Sequence, residues 1–354
     1  MENNIYINGI CSISAQPENA PFSEAPLEYH DSIITALAPN YKEYIPPIML
    51  RRMSKAVKMG LVAAKRALKE ANVEIPDAII TGTGEGCKQD TEKFLQNMLD
   101  QDEELLSPTA FIQSTHNTVG GQIALNLKCT GYNVTYTQNS ASLESAFLDA
   151  LLYFAETNQE KHILVGGVEE IAKKSTPFYY LDGQLKNENI SNLALLASDS
   201  PGTITSEGAH FFALSNKLLE KSYAVLRDLK IIHSVSEECL TSEVSDFLKS
   251  NLLNPSDIDM LIFGNNGDSR FDGFYQNLQL GLFKETIQLG YKHLTGDYNT
   301  VSGYAVSLAA KILKGGQIPE ILKLNAVKAT LPKHILIYNQ YLGSNHSFIL
   351  VSKI

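Results

Sequence analysis

The stretch Thr135-Tyr-Thr-Gln-Asn-Ser-Ala-Ser-Leu-Glu-Ser-Ala146, read with Leu294-Thr-Gly-Asp-Tyr-Asn-Thr-Val-Ser-Gly303, decides how this chain is organised. In the first, β-favouring residues from Asn133 to Tyr136 give way to small polar ones and then to an amphipathic pattern from about Ser140 to Glu156. A strand, a tight turn and a helix in that order make a β-α unit. The second stretch leads in the same way into a helical pattern at 301 to 314.

Outward from these turns the same rhythm holds. Strands are expected at Ile5-Tyr-Ile-Asn-Gly-Ile10, Ala78-Ile-Ile-Thr-Gly82 and His162-Ile-Leu-Val-Gly166, with helices near 50 to 71, 90 to 100 and 117 to 128. The second half repeats the order more loosely, with strands near 210 to 214, 225 to 235, 259 to 263 and 334 to 338, and helices near 242 to 252 and 273 to 284. Leu336 to Tyr338 and Ser347 to Ser352 read as a closing hairpin around Gly-Ser-Asn. The pattern predicts an α/β fold on a mostly parallel sheet, in two similar halves, residues 1 to 215 and 216 to 354. Between Lys173 and Ser206 the text is polar and irregular, which predicts a long loop on the surface or over the site.

The 354 residues are 44% hydrophobic and 19% charged, ordinary for a soluble globular protein. A formal charge of −10 disfavours nucleic acid and anionic membrane as partners, because phosphate binding needs clustered cations. The basic group Arg51, Arg52, Lys55 and Lys58 has helical spacing and reads as a solvated face. No apolar run is long enough to cross a bilayer, and Met-Glu-Asn-Asn-Ile-Tyr-Ile at the start lacks a signal-peptide pattern, so a cytoplasmic location is expected. Cys11, Cys87, Cys129 and Cys239 have neither zinc nor disulfide-scaffold spacing, and no metal is expected. Thr81-Gly-Thr-Gly-Glu-Gly86 has neither G-x-G-x-x-G nor Gly-Lys-Ser/Thr, so it does not read as a nucleotide loop, and no cofactor is expected.

A series of segments in order and at family spacing resembles the β-ketoacyl-ACP synthases, condensing enzymes of thiolase-like fold. These are Tyr6-Ile-Asn-Gly-Ile10, Arg52-Met-Ser54, Thr81 to Gly86, Gly120-Gly-Gln-Ile-Ala124, the turn after Tyr136, Val165-Gly-Gly-Val-Glu-Glu170, Ser206 to Leu214, Lys292 to Gly296, and Asn339 to Asn345. The resemblance implies α-β-α-β-α layers, with dimerisation beside the turn after Tyr136 through residues 105 to 135. It also implies a cysteine at a helix N-terminus, activated by dipole and backbone N–H groups, and two histidines that stabilise an enolate.

None of the three is present. The cysteine position falls on Asn139, aligned through Leu143 and Ala146, or on Ser140 if the turn is one residue longer. The first histidine falls on Asn266 of Phe263-Gly-Asn-Asn-Gly-Asp268, and the second on Asp297 of Thr295-Gly-Asp297. A carboxamide is no nucleophile, and a serine would need a general base. A carboxylate beside a forming enolate repels it by roughly a few kcal/mol at low effective dielectric. Lys292, five residues before Asp297, matches the family's lysine, and an ion pair between the two is expected. Tyr341, Leu342 and Gly343 occupy a glycine-rich gate in the family, so a stiffer, partly filled pocket is expected.

Within the family, this combination resembles a chain-length factor, a subunit inactive alone that pairs with an active ketosynthase making polyketide, polyene or fatty-acid-like chains. It is most similar to subunits of aryl polyene and flexirubin-type pathways. The partner ketosynthase, or a second copy of this chain, is the implied direct partner, and acyl carrier protein an indirect one. The sequence departs from better-known factors in having Asn139 where they carry glutamine, with Gln138 adjacent. Two other readings stay open: an acyltransferase or condensing enzyme using Ser140, Cys87 or His116, and a homodimeric acyl-binding protein without chemistry. Cys87 beside Lys88 reads first as a packed thiol, and His116 and His293 as structural or tunnel-lining residues.

Overall fold

The computed structural model describes residues 4–104, 106–328 and 331–354. Met1 to Asn3, part of the start read above, and Leu105, the first residue of the expected interface, lie outside it. Among the described residues ten strands form one sheet: β1 Ile5–Ile13, β2 Ala78–Gly82, β3 Tyr132–Tyr136, β4 His162–Glu169, β5 Gly208–Ser215, β6 Ala224–Ile232, β7 Met260–Phe263, β8 Ile287–Gly290, β9 His334–Tyr341 and β10 Ser344–Ser352. The α-helices are α1 Pro47–Leu50, α2 Lys55–Glu70, α3 Lys88–Asp100, α4 Pro108–Ser114, α5 Thr118–Leu127, α6 Ser142–Ala155, α7 Phe178–Leu181, α8 Glu237–Ser250, α9 Asp272–Asn277, α10 Lys292–Thr295 and α11 Ser302–Gly315.

The strand order is β3-β2-β4-β5-β1-β6-β10-β9-β7-β8. The five strands on either side of the β1/β6 contact follow one plan. In each run the second strand is parallel to the third and fourth, and the fifth is antiparallel to the fourth and first. The antiparallel pairs Ile5/Leu226, Tyr6/Val225 and Ile7/Ala224 join the runs.

Layering follows from which face each residue buries. Along β2, Ala78 and Ile80 point to one side and Ile79 to the other, the period of two that a pleated strand imposes. Ala78 and Ile80 share a core with Leu143 and Phe147 of α6, Val306 and Ala309 of α11, and Ile262 and Ile337 of the other run. Thus α6 and α11 lie between the two halves of the sheet. Helices α2 and α5 cover the opposite face of the first run, packing on Ile79, Leu164 and Phe211. Helices α8 and α9 cover that of the second, packing on Leu261, Leu336 and Phe348. The result is the expected α-β-α-β-α order. No helix among the described residues is long and apolar enough to cross a membrane.

The sheet is mixed, with five antiparallel and four parallel strand pairings among the described residues where a mostly parallel one was expected, and several boundaries also differ from the sequence reading. Helix α8 starts at Glu237, because the Ser236 hydroxyl accepts the Cys239 N–H and two glutamates in the first turn suit the helix dipole. Strand β8 was not expected, as four residues carry too little periodicity to stand out. The last hairpin turns at Leu342-Gly343, not at Gly-Ser-Asn, with both residues in the left-handed region (φ 50° and 73°) that a tight hairpin turn demands. The 173 to 206 segment contains α7 and a 3-10 turn, Asn192–Ala197.

Candidate functional site

The turn after β3 is built by hydrogen bonds of small polar residues. The Ser142 hydroxyl accepts the Gln138 N–H at 2.8 Å and donates towards the Asn139 carbonyl at 2.6 Å. The Ser145 hydroxyl donates to Gln138 Oε1 at 2.9 Å, so the Gln138 carboxamide is tied to α6. Asn139 has φ 47°, a conformation asparagine tolerates better than most residues. The end of β2 abuts this turn so closely that a Cβ on Gly82 would stand 2.5 Å from the Ser142 carbonyl oxygen. Thr137, Gln138 and Asn139 are exposed at the edge of the sheet. Ser140 is buried, and its hydroxyl has no hydrogen-bond partner among the described residues.

The other two positions meet deep in the fold. The Asp297 carboxylate accepts the Asn266 amide at 2.7 Å through Oδ2 and lies 2.8 Å from Lys292 Nζ through Oδ1. All three side chains are buried. The backbone fixes this arrangement: Asp297 N–H donates to the Ile204 carbonyl at 2.8 Å, and its own carbonyl accepts Ser206 N–H at 3.0 Å and the Thr205 hydroxyl at 3.1 Å. Thr203 Oγ1 donates to the Asn266 carbonyl at 2.6 Å. Glycines at 267 and 296, φ 74° and 70°, make the bends beside Asn266 and Asp297.

Beside Asp297 is a cavity of about 40 Å³, lined among others by Glu85, Glu169, Tyr179, Gln184, Ser206 and Tyr341. It has room for a few water molecules and none for an acyl chain. Tyr341 forms part of its wall, and burial raises its phenol above the usual range. Leu342 and Gly343 do not line it: they form the hairpin turn, with Gly343 facing Phe271 and Phe274. His116 is exposed between α4 and α5 near Gly86. His293 points to the Ile321 carbonyl, 3.0 Å from Nε2, and burial lowers its pKa to about 4, so it is neutral at pH 7. Burial pushes the Cys87 thiol up to about 12, and Lys88 pairs instead with Glu85 at 2.7 Å. The thiolate that a nucleophile requires is therefore scarce. No group of three or more His, Cys, Asp or Glu suited to a metal is found among the described residues.

Three carboxylates went unremarked in the sequence. Glu144, on the buried face of α6, has its pKa raised to about 7 by burial, opposed by the Ser347 hydroxyl and the charge of Lys292. Glu169 is raised to about 8 by burial, opposed by the backbone N–H groups of Gly84 and Glu85. Glu170 accepts Ala56 N–H and Gln89 N–H, both at 2.8 Å, and so caps the starts of α2 and α3 with one side chain. Two successive glutamates ending an apolar strand were the available signal.

The sequence pattern of the family described as "Beta-ketoacyl synthase, N-terminal domain" matches residues 28–216. No protein of curated function matches the sequence. Among solved structures, the chain is similar to the ishigamide ketosynthase/chain length factor, at TM-score 0.79 and 15% identity over 100% of both chains. It is also similar to a β-ketoacyl synthase from Burkholderia phymatum STM815, at TM-score 0.76 and 13% identity over 100% of both. A third is a ketosynthase in complex with its chain length factor from Xenorhabdus doucetiae, at TM-score 0.74 and 14% identity over 99% of this chain and 98% of that one. At these identities the likeness concerns the fold, which is that of the thiolase-like ketosynthases.

Proposed function

Because this chain belongs to the β-ketoacyl synthase family, we propose that it is a chain-length-factor-type subunit, silent on its own, that pairs with an active ketosynthase. The observation that carries this reading is the Asp297 carboxylate bound to Lys292 and Asn266. Condensation needs donors that gain strength as negative charge develops on an enolate oxygen. A buried anion at that place opposes it by roughly a few kcal/mol, and Asn139 offers no nucleophile.

The alternatives fare worse. Ser140 has no base beside it, and Cys87 is held as a thiol. The cavity beside Asp297 is too small for an acyl chain, which counts against acyl binding at this place. Two of the similar structures pair a ketosynthase with a chain length factor, and another contains a type II acyl-carrier protein with its ketosynthase. For this chain the corresponding partner is a ketosynthase, with acyl carrier protein reached through it. Sheet edge β3 supports this pairing: Tyr132 there, with Leu125 of α5 and Leu152 of α6, leaves large apolar surface exposed. We assign the halves to residues 1–215 and 216–354, the location to the cytoplasm and the product to the aryl polyene type on the same reading.

Co-expression with the ketosynthase encoded beside it, purification through a tag on this chain and a malonyl-dependent elongation assay test the proposal. Co-purification, with activity lost when the partner's cysteine is replaced by alanine, is the expected result. Elongation by this chain alone would refute it.

A further inference from the structure

The segment over the cavity has the construction of a lid. It is pinned at both ends. At one end the Glu92 carboxylate accepts the N–H groups of Lys174 and Ser175 at 3.0 and 2.6 Å, and the Ser175 hydroxyl at 2.7 Å. At the other, the buried Lys186 ammonium donates to Ser198 Oγ at 2.6 Å, Ser200 O at 2.6 Å and Gly267 O at 2.7 Å.

Between the pins the backbone from Thr176 to Gln184 bonds mostly to itself, through Tyr179 N–H to Thr176, Asp182 N–H to Phe178 and Gln184 N–H to Tyr179. Its ties to the rest of the molecule include Thr176 N–H to the Ala172 carbonyl at 3.3 Å, the Gly183 carbonyl, which accepts Arg270 Nη2 at 2.9 Å, and the Gln184 carbonyl, which accepts Thr203 N–H at 2.8 Å. Gly183, φ 65°, is a bend position where a Cβ would meet only Arg270 Nη1, at 3.8 Å. The outward side chains of α7 are exposed, Phe178 at 62% and Leu181 at 85%. Closure therefore buries little apolar area, and the segment rests on a few specific contacts.

Two of those contacts act on the cavity. Tyr341 donates through its hydroxyl to Gln184 Oε1 at 3.2 Å, joining the wall to the lid. Lys88 Nζ lies 3.4 Å from the Tyr179 hydroxyl and 4.7 Å from its ring centre, while held by Glu85. We propose that residues 176–184 are a lid latched by Gln184–Tyr341 and Tyr179–Lys88, and that releasing the latch opens the cavity beside Asp297 to solvent. This goes beyond the subunit reading and does not depend on it, since it concerns access to the site and not the partner.

Ser206 supplies the probe position. Its side chain lines the cavity, is buried, and has no hydrogen-bond partner among the described residues. The test is the rate at which methyl methanethiosulfonate labels the thiol introduced by Ser206→Cys, read by peptide mass. It is measured in that background alone, with Tyr341→Phe, and with Gln184→Ala. Cys11, buried in β1, reports any general loosening in the same spectra. The expected result is slow labelling in the first protein and about tenfold faster labelling with either latch change, at an unchanged Cys11 rate. Equal rates in all three proteins, or acceleration only together with Cys11, would overturn the lid.

Discussion

Lys292 Nζ stands 2.8 Å from Asp297 Oδ1 in a place from which water is nearly excluded, the two side chains being 1% and 9% exposed. The second carboxylate oxygen of Asp297 is taken by Asn266, so both of its oxygens are engaged by buried partners.

Removing one partner of this pair leaves an uncompensated charge in the core. Asp297→Ala is expected to cost about 3–5 kcal/mol in urea unfolding, and the double change Lys292→Met with Asp297→Ala to recover most of that. Equal losses for the single and double variants would mean that the lysine finds another counter-charge.

Glu144 sets a pH dependence with a definite sign. Its folded pKa of about 7 lies above the ordinary 4.5, so the folded state holds the proton more tightly than the unfolded one. Its contribution favours the fold below the ordinary value and is lost as pH rises from about 4.5 through 7. Glu144→Gln should therefore gain on the parent between pH 5 and pH 8, by up to about 3 kcal/mol at 1.36 kcal/mol per pKa unit. Buried His210 and His293, lowered to about 3 and 4, act oppositely below about 6.5, which is why the comparison is made between the two proteins.

Cys239 is exposed, whereas Cys11 and Cys87 are buried with thiols pushed up to about 12. Iodoacetamide at pH 8 should modify Cys239 within minutes and leave Cys11 and Cys87 intact until denaturant is added. Rapid native-state alkylation of Cys87 would revive it as a nucleophile.

The left-handed backbone at Asn139 makes its own prediction. Asn139→Val should cost about 1–2 kcal/mol and Asn139→Gly roughly nothing, because the penalty is a Cβ clash that glycine lacks. On the subunit reading proposed above, Asn139→Cys alone should yield an alkylatable thiol without condensing activity, because that reading puts the Asp297 carboxylate where the family carries a histidine. Turnover by that single variant would count against the role given to Asp297.

Most of the framework was legible. Strand β2 follows from a short apolar, β-favouring run and the core of α6 from a helical stripe, signals carried by neighbours in the chain. Four-residue β8 and the Ser236 cap of α8 were too short or too local to stand out. At the site, the pairing of Lys292 with Asp297 was read from the segment that holds both. The buried state of Glu144, Glu169 and Glu170 was not, because a glutamate in a strand or helix looks the same whether it faces water or the core.

By itself the sequence determined the α/β alternation and its repetition in two runs, because each is written in adjacent residues. Tertiary structure alone decided that Asn266 meets Asp297 across 31 positions and Gln184 meets Tyr341 across 157, while Asn139 is left exposed at the sheet edge. Such contacts depend on how two sheet halves stack about α6 and α11 and where a long loop returns. That geometry is fixed by packing over the whole core, and no local pattern encodes it.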